Sequence, residues 1–149
     1  MDAMFVYLNN VSMDFYFLLT LFLVFFVSLC FGSFISALTY RIPKNINFIN
    51  GRSFCDNCRS KLSWYDNIPL VSFVFYKGKS KCCNTKISIR YPLIEILTAI
   101  GTILVFVFSS NVVFSIIIFY VTFSIVIIDF ENQIIPDGLT YLTVLVSVL

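Results

Sequence analysis

The sequence predicts an all-α polytopic membrane protein with a small cytoplasmic, cysteine-containing loop domain, three transmembrane helices and a truncated fourth. Three observations predict it. Of 149 residues, 59% are hydrophobic and only 12% charged, too apolar for a small water-soluble globule. The apolar residues fall into long uncharged runs. All ten Lys and Arg, together with four of the five cysteines, lie between Arg41 and Arg90.

The first run, residues 15–38, carries no charge and lies between Asp14 and Arg41. It is as long as the roughly 17–25 helical residues needed to cross ~30 Å of hydrocarbon. A cleaved secretory signal would begin with positive charge and have a shorter apolar core. Residues 1–14 instead hold Asp2 and Asp14 and no cation, so the run reads as a retained first span after an extracytoplasmic start. The second span, residues 93–108, follows Tyr91-Pro92. Ser109-Ser110-Asn111 then turns the chain into a third, residues 112–128, which makes an antiparallel hairpin. Residues 139–149 are apolar but too few to cross a bilayer, and read as the start of a fourth span cut short.

Orientation follows from charge. The loop of residues 39–92 sets its cations against only Asp56 and Asp66, and Lys and Arg accumulate on the cytoplasmic side of spans. The loop therefore faces the cytoplasm, the first helix runs inward, and the third ends inside at Ile128 and Asp129. Lys77, Lys79, Lys81 and Lys86 suit contact with anionic inner-leaflet lipid, worth about 1 kcal/mol per cation near the surface. Nucleic acid is excluded as a partner, since the loop lacks an interleaved aromatic platform and is tied to the membrane.

Within the loop, Cys55 and Cys58 form a C-x-x-C pair, and Cys82-Cys83 follow after a polar segment holding Gly51, Pro69 and Gly78. Two such turns supply the tetrahedral sulfur cage that zinc prefers, and a loop with so small a core needs a staple. Disulfides are the alternative, disfavoured in a reducing cytoplasm. The second pair is irregular. Ser80 stands where a regular second C-x-x-C would place its first thiol, and adjacent Cys82 and Cys83 can share an ion only if the chain turns sharply. Either Cys82 substitutes from a displaced position, or the ion has three protein ligands, or the metal is lost. Cys30, inside the first span, reads as a small packing residue.

Asp129, at the end of the third span, is either a boundary marker in the headgroup region or a functional acid. Its context resembles a known family. Asp129, five intervening residues and then Ile135-Pro136-Asp137 are similar to the first catalytic motif of the bacterial prepilin peptidases, the type IV leader peptidases. Gly32-Ser33-Phe34 with Arg41-Ile42-Pro43 resembles the end of that family's first helix. Cys55 and Cys58 resemble its cytoplasmic cysteine motif, and Trp64 to Pro69 the stretch between its cysteine pairs. Ile87-Ser88-x-Arg90-Tyr91-Pro92-x-x-Glu95 resembles the run into its second helix.

The resemblance implies an intramembrane aspartic endopeptidase of the bacterial inner membrane that removes the cytoplasmic leader from type IV prepilins or pseudopilins. It also implies methylation of the new amino terminus with S-adenosylmethionine, although no glycine-rich nucleotide-binding turn is visible. Asp129 is the expected catalytic residue. The family's second catalytic aspartate lies in a downstream Gly-x-Gly-Asp that does not occur in these 149 residues, so the chain alone is expected to be inactive. Peptide hydrolysis by a carboxylate pair needs one ionised and one protonated Asp, which a single residue cannot supply. Asp137, before Gly138 and an apolar run, reads as the cap of the next helix. Arg90 reads as an interfacial anchor and Glu95 as a first-turn acid favoured by the helix dipole. Two other functions remain open: a non-enzymatic membrane module whose zinc knuckle docks a partner, and a degenerate or split peptidase that needs a partner chain.

Overall fold

The computed structural model describes residues 2–47, 53–55, 57–63, 66, 68 and 70–148, with side chains over 14–146 of that set. Gly51, Asp56, Trp64 and Pro69 lie outside the described residues. There are five helices among them: α1 (Asp2–Arg41), α2 (Val71–Phe75), α3 (Arg90–Phe108), α4 (Val112–Asn132) and α5 (Asp137–Val148). Extended structure among these residues is limited to two isolated antiparallel bridges, Phe54 with Lys61 and Lys79 with Lys86.

Three helices are long and apolar enough to cross a membrane: Asp14–Arg41 of α1, then α3 and α4. Helix begins at Asp2, well before the expected first span, because no Gly or Pro interrupts the chain until Gly32. It ends at Arg41, where Pro43 disfavours helical backbone at Ile42 and Asn45 turns the chain with φ 54°. α3 begins at Arg90, with Pro92 in its first turn, where a missing N–H costs nothing. α4 runs on through Asn132, so Asp129 and Glu131 sit on the helix rather than in the loop expected over 129–138. Gln133, left-handed at φ 54°, ends it.

The bundle is held by stripes of small and polar residues. On α1, Ser28, Gly32, Ile35, Ser36 and Thr39 are buried, recurring at three- and four-residue steps; on α3, so are Ile94, Glu95, Thr98, Ala99 and Thr102. Their hydroxyls are satisfied within their own helices, as when Thr98 donates to the Ile94 carbonyl at 2.7 Å and Thr39 to that of Ile35 at 2.9 Å. Small residues let membrane helices approach closely, and Gly32 is the tightest case between α1 and α3. A Cβ there would lie 2.8 Å from the Glu95 Cα. At Gly101, where α3 meets α4, a Cβ would collide with the tip of the Phe119 ring. The Tyr120 hydroxyl, 3.1 Å from that of Thr102, and its ring, 5.2 Å from that of Phe31, join α4 to both neighbours. Phe22, Phe26, Leu104 and Val126 point outward, as lipid-facing residues do.

Cys30 falls off the buried stripe of α1 and is exposed, which corrects its expected packing role.

Candidate functional site

The cysteine loop is built from two hairpin turns of the same design, 25 residues apart. In the first, the Cys55 N–H donates to the Ser60 carbonyl at 2.9 Å, the Arg59 N–H to Cys55 at 2.9 Å, and the Leu62 N–H to Ser53 at 2.8 Å. In the second, Ser80 donates to Thr85, Asn84 to Ser80 and Ile87 to Gly78, each at 2.8 Å. Arg59 and Asn84 occupy the same left-handed position, with φ 58° and 56°. Each bridge, Phe54–Lys61 or Lys79–Lys86, closes its own turn. Ser80 is thus the backbone counterpart of Cys55, Cys83 of Cys58, and Cys82 of Asn57.

The missing sulfur has moved within the second turn. Residues 81–83 turn sharply, as two adjacent ligands require, and all four Sγ atoms of Cys55, Cys58, Cys82 and Cys83 lie within 4.8 Å of one another. Cys58 and Cys82 are 3.0 Å apart, Cys55 and Cys83 3.6 Å, and Cys82 and Cys83 3.8 Å. A tetrahedron with metal–sulfur bonds of about 2.3 Å has edges of ~3.8 Å. Sulfurs already this close can hold a metal ion with small side-chain adjustments.

Hydroxyls surround the sulfurs. Ser60 lies 3.0 Å from Cys58 and its counterpart Thr85 3.0 Å from Cys83; Ser80 lies 3.3 Å from Cys55 and 3.0 Å from Cys82. The Thr85 hydroxyl, then its N–H, favours the Cys83 thiolate and lowers its pKa to about 5. Cys82 is also lowered, first by Cys58 and then by Ser60 and Ser80, while contact with Cys82 raises Cys58. The Cys58–Cys82 pair therefore shares a proton, with Cys82 the one that gives it up first.

At the foot of the bundle, one side chain ties three helices together. The Arg90 guanidinium forms a two-pronged ion pair with Glu131 of α4, its Nη2 2.8 Å from Oε2. It also donates to the Ser36 carbonyl at 3.1 Å and to the Thr39 hydroxyl at 2.9 Å on α1. Arg90 is a clasp, not the lone interfacial anchor its position suggested. Asp129 lies in the last turn of α4, exposed, two residues from the clasped Glu131. Asp137 is the first residue of α5, where the Pro136 carbonyl accepts the N–H groups of Leu139 and Thr140.

Glu95 is in the second turn of α3, not the first, and is 6% exposed. Its Oε2 accepts the Leu70 N–H at 2.9 Å, and the Ser33 hydroxyl also reaches its carboxylate. It pins the loop to the bundle, and Leu70 takes φ 55° to make the bond. The structure thus brings the four cysteines together and sets Asp129 apart on its own helix end. The roles of Arg90 and Glu95 were not legible, because each depends on partners 25 to 54 residues away.

Residues 26–109 match the family model described as Bacterial Peptidase A24 N-terminal domain. A protein named prepilin leader peptidase/N-methyltransferase from Klebsiella pneumoniae is 37% identical over 126 residues, 78% of this chain and 55% of that one. The protein of that name from Vibrio cholerae is 35% identical over 126 residues, 77% of this chain and 50% of that one. One from Myxococcus xanthus is 31% identical over 120 residues, 78% of this chain and 36% of that one. The chain spans about half the length, or less, of these curated relatives. No solved structure matches it.

Proposed function

This chain belongs to the bacterial A24 peptidase N-terminal domain family, and from that premise we propose that it forms part of an intramembrane aspartic endopeptidase of the inner membrane. The substrates are type IV prepilins or pseudopilins, whose cytoplasmic leader is removed before the new amino terminus is methylated. The observation that carries the reading is the placement of Asp129. It lies in the last turn of an apolar helix, at the end of the bundle where Arg90 joins α1, α3 and α4. A substrate whose own apolar helix lies in the bilayer would present its cleavage site at that depth.

The chemistry needs two carboxylates, one to take a proton from water and one to polarise the scissile carbonyl; like charges set close together separate their pKa values to allow both roles. Glu131 is held by Arg90 and Asp137 opens α5, so the reading gives neither the role of partner to Asp129; the resemblance assigns that role to a Gly-x-Gly-Asp segment, which these 149 residues do not contain. With the cationic loop in the cytoplasm, Asp129 reaches the inner surface. Replacing Asp129 with Asn in the membrane-embedded protein should abolish leader removal. Undiminished cleavage, or labelling of residue 129 from the exterior, would reject the assignment and favour the non-enzymatic module.

The same reading assigns zinc to Cys55, Cys58, Cys82 and Cys83. The sulfur spacings support it, with Cys82 taking the place that Ser80 leaves. Zinc would fix the two turns against each other and leave Ser60, Ser80 and Thr85 as hydrogen-bond donors to its thiolates.

A further inference from the structure

The short helix α2 has two sides. Ser72, Phe73 and Tyr76, at its C-terminal end, line a partly open cavity of about 500 Å³ that Asp66 and Glu95 also face. Val71, Val74 and Phe75 point the other way, at the three- and four-residue steps that align side chains along one face of a helix. Val74 is 72% and Phe75 79% exposed. Ile68, also exposed, is tied to the same turn, since its carbonyl accepts the Ser72 N–H at 3.2 Å and the Ser72 hydroxyl at 3.0 Å. Other large apolar side chains of the loop turn inward: Phe54, Leu62 and Ile87 are half-buried, and Phe73 closes over Gly78. Single exposed apolar residues are ordinary, but several on one side of so small a loop make a contact surface.

What lies against that surface follows from where α2 is held and from charge. The Leu70 N–H, directly before the helix, bonds to Glu95 in the second turn of the α3 span. Helix side chains lean toward the N-terminus, so this bond sets the start of α2 level with the first turns of that span, where Leu93, Ile96 and Leu97 are exposed. Segments that lie on a bilayer enter its headgroup and acyl boundary by about 5–10 Å, which is the depth of those turns. Residues 68–89 hold four lysines and no acid, and Lys77, Lys79 and Lys86 are exposed. An apolar face followed by cations, with no carboxylate between them, is the chemistry of a segment that binds an anionic membrane surface.

We propose that α2 docks the cysteine loop on the bilayer: Ile68, Val71, Val74 and Phe75 dip into the acyl boundary beside the spans, and Lys77, Lys79 and Lys86 meet anionic headgroups. The inference needs only that the three apolar helices cross the membrane, and it stands apart from the peptidase reading. Docked in this way, the loop is held at two points, by Glu95 on the bundle and by α2 on lipid, so the cysteine turns stay against the surface instead of swinging free.

The test is photocrosslinking to lipid from the two sides of α2. Full-length protein with benzoylphenylalanine in place of Phe75, or in place of Tyr76 on the cavity side, is reconstituted in vesicles of phosphatidylethanolamine and phosphatidylglycerol with radiolabelled acyl chains. On irradiation, position 75 should take up about fivefold more lipid label than position 76. Val71→Asp combined with Val74→Asp should bring the label at position 75 down to that at position 76; both side chains are exposed, so the change removes no internal packing. Lys77→Gln combined with Lys79→Gln, or vesicles without phosphatidylglycerol, should each lower it about twofold. Equal label at positions 75 and 76, or label at 75 that the paired Asp changes leave unaltered, would overturn the proposal. A crosslink from position 75 to added prepilin, or to a second copy of the chain, in place of lipid would overturn it too and make this face a protein-docking surface. Label that ignores both the lysine changes and the anionic lipid would overturn the assignment of the lysines.

Discussion

The cysteine loop and the helical bundle meet at Glu95 and Arg90 yet are held together by opposite means. The loop's short turns bring four sulfurs together, and among its described residues only Cys55 and Ser80 are buried. The bundle relies on close contact: stripes of Ser, Thr, Ala and Gly let helices touch, and hydroxyls such as those of Thr98 and Thr39 donate to carbonyls of their own helices. On the zinc reading, the loop depends on four thiolates and the bundle on the shape of its surfaces. Damage to one should leave the other largely standing.

The sharpest break is removal of a sulfur. Structural zinc in small modules is worth roughly 10–16 kcal/mol of apparent binding free energy, so Cys55→Ser should take zinc content from one per chain to near zero. The loop should then become sensitive to protease, while helicity measured by circular dichroism in detergent barely changes. Cys82→Ser sharpens the comparison, because loss of zinc there would show that the displaced sulfur is a ligand.

Next in size is the chemical contrast among the four thiols once metal is stripped. Cys83, lowered to about 5, should be thiolate and open to alkylation from just above that pH, and should lose reactivity only as pH falls through it. An ordinary thiol reacts mainly as pH approaches ~8.5, and Cys58, raised by Cys82, should lag further still. At pH 7 the absolute rates draw together, since a low pKa also blunts nucleophilicity, so the contrast lies in the profile: Cys83 levels off well below pH 7 while Cys58 is still climbing. Mass spectrometry of alkylated peptides across pH resolves the order.

The bundle breaks differently. Gly32→Ala forces a methyl against the Glu95 backbone, which cannot swing aside, and should cost about 1–3 kcal/mol in unfolding from detergent while zinc is retained. Gly101→Ala should cost less, because the Phe119 ring it meets can rotate away. Smallest is Arg90→Lys. It keeps the charge but loses the two-pronged geometry, and should cost about 1 kcal/mol, since the Glu131 pair is partly exposed.

The helices were legible because lipid imposes a simple rule: long uncharged runs must be helical, and three of them are. Their ends were less so. No local signal showed that α4 passes Asp129 to Asn132, or that helix begins at Asp2. The cysteine pattern was visible, including the anomaly at Ser80, but the 25-residue correspondence between the turns lies in backbone hydrogen bonds. In side chains it shows as two identities, Cys58 with Cys83 and Lys61 with Lys86, beside the exchanges of Cys55 for Ser80 and of Asn57 for Cys82. The cavity was invisible, since Asp66 and Glu95 face it from segments that share no periodicity.

The Arg90 clasp bears on how the protein is made. Spans enter a bilayer in order, and Arg90 leads α3 while its ion-pair partner waits at the far end of α4. Until α4 has been threaded, the guanidinium can reach only the oxygens of Ser36 and Thr39 on a helix already in place. Its ion pair can close only once α4 has followed α3, so the hairpin is secured when the turn that bears Asp129 has arrived.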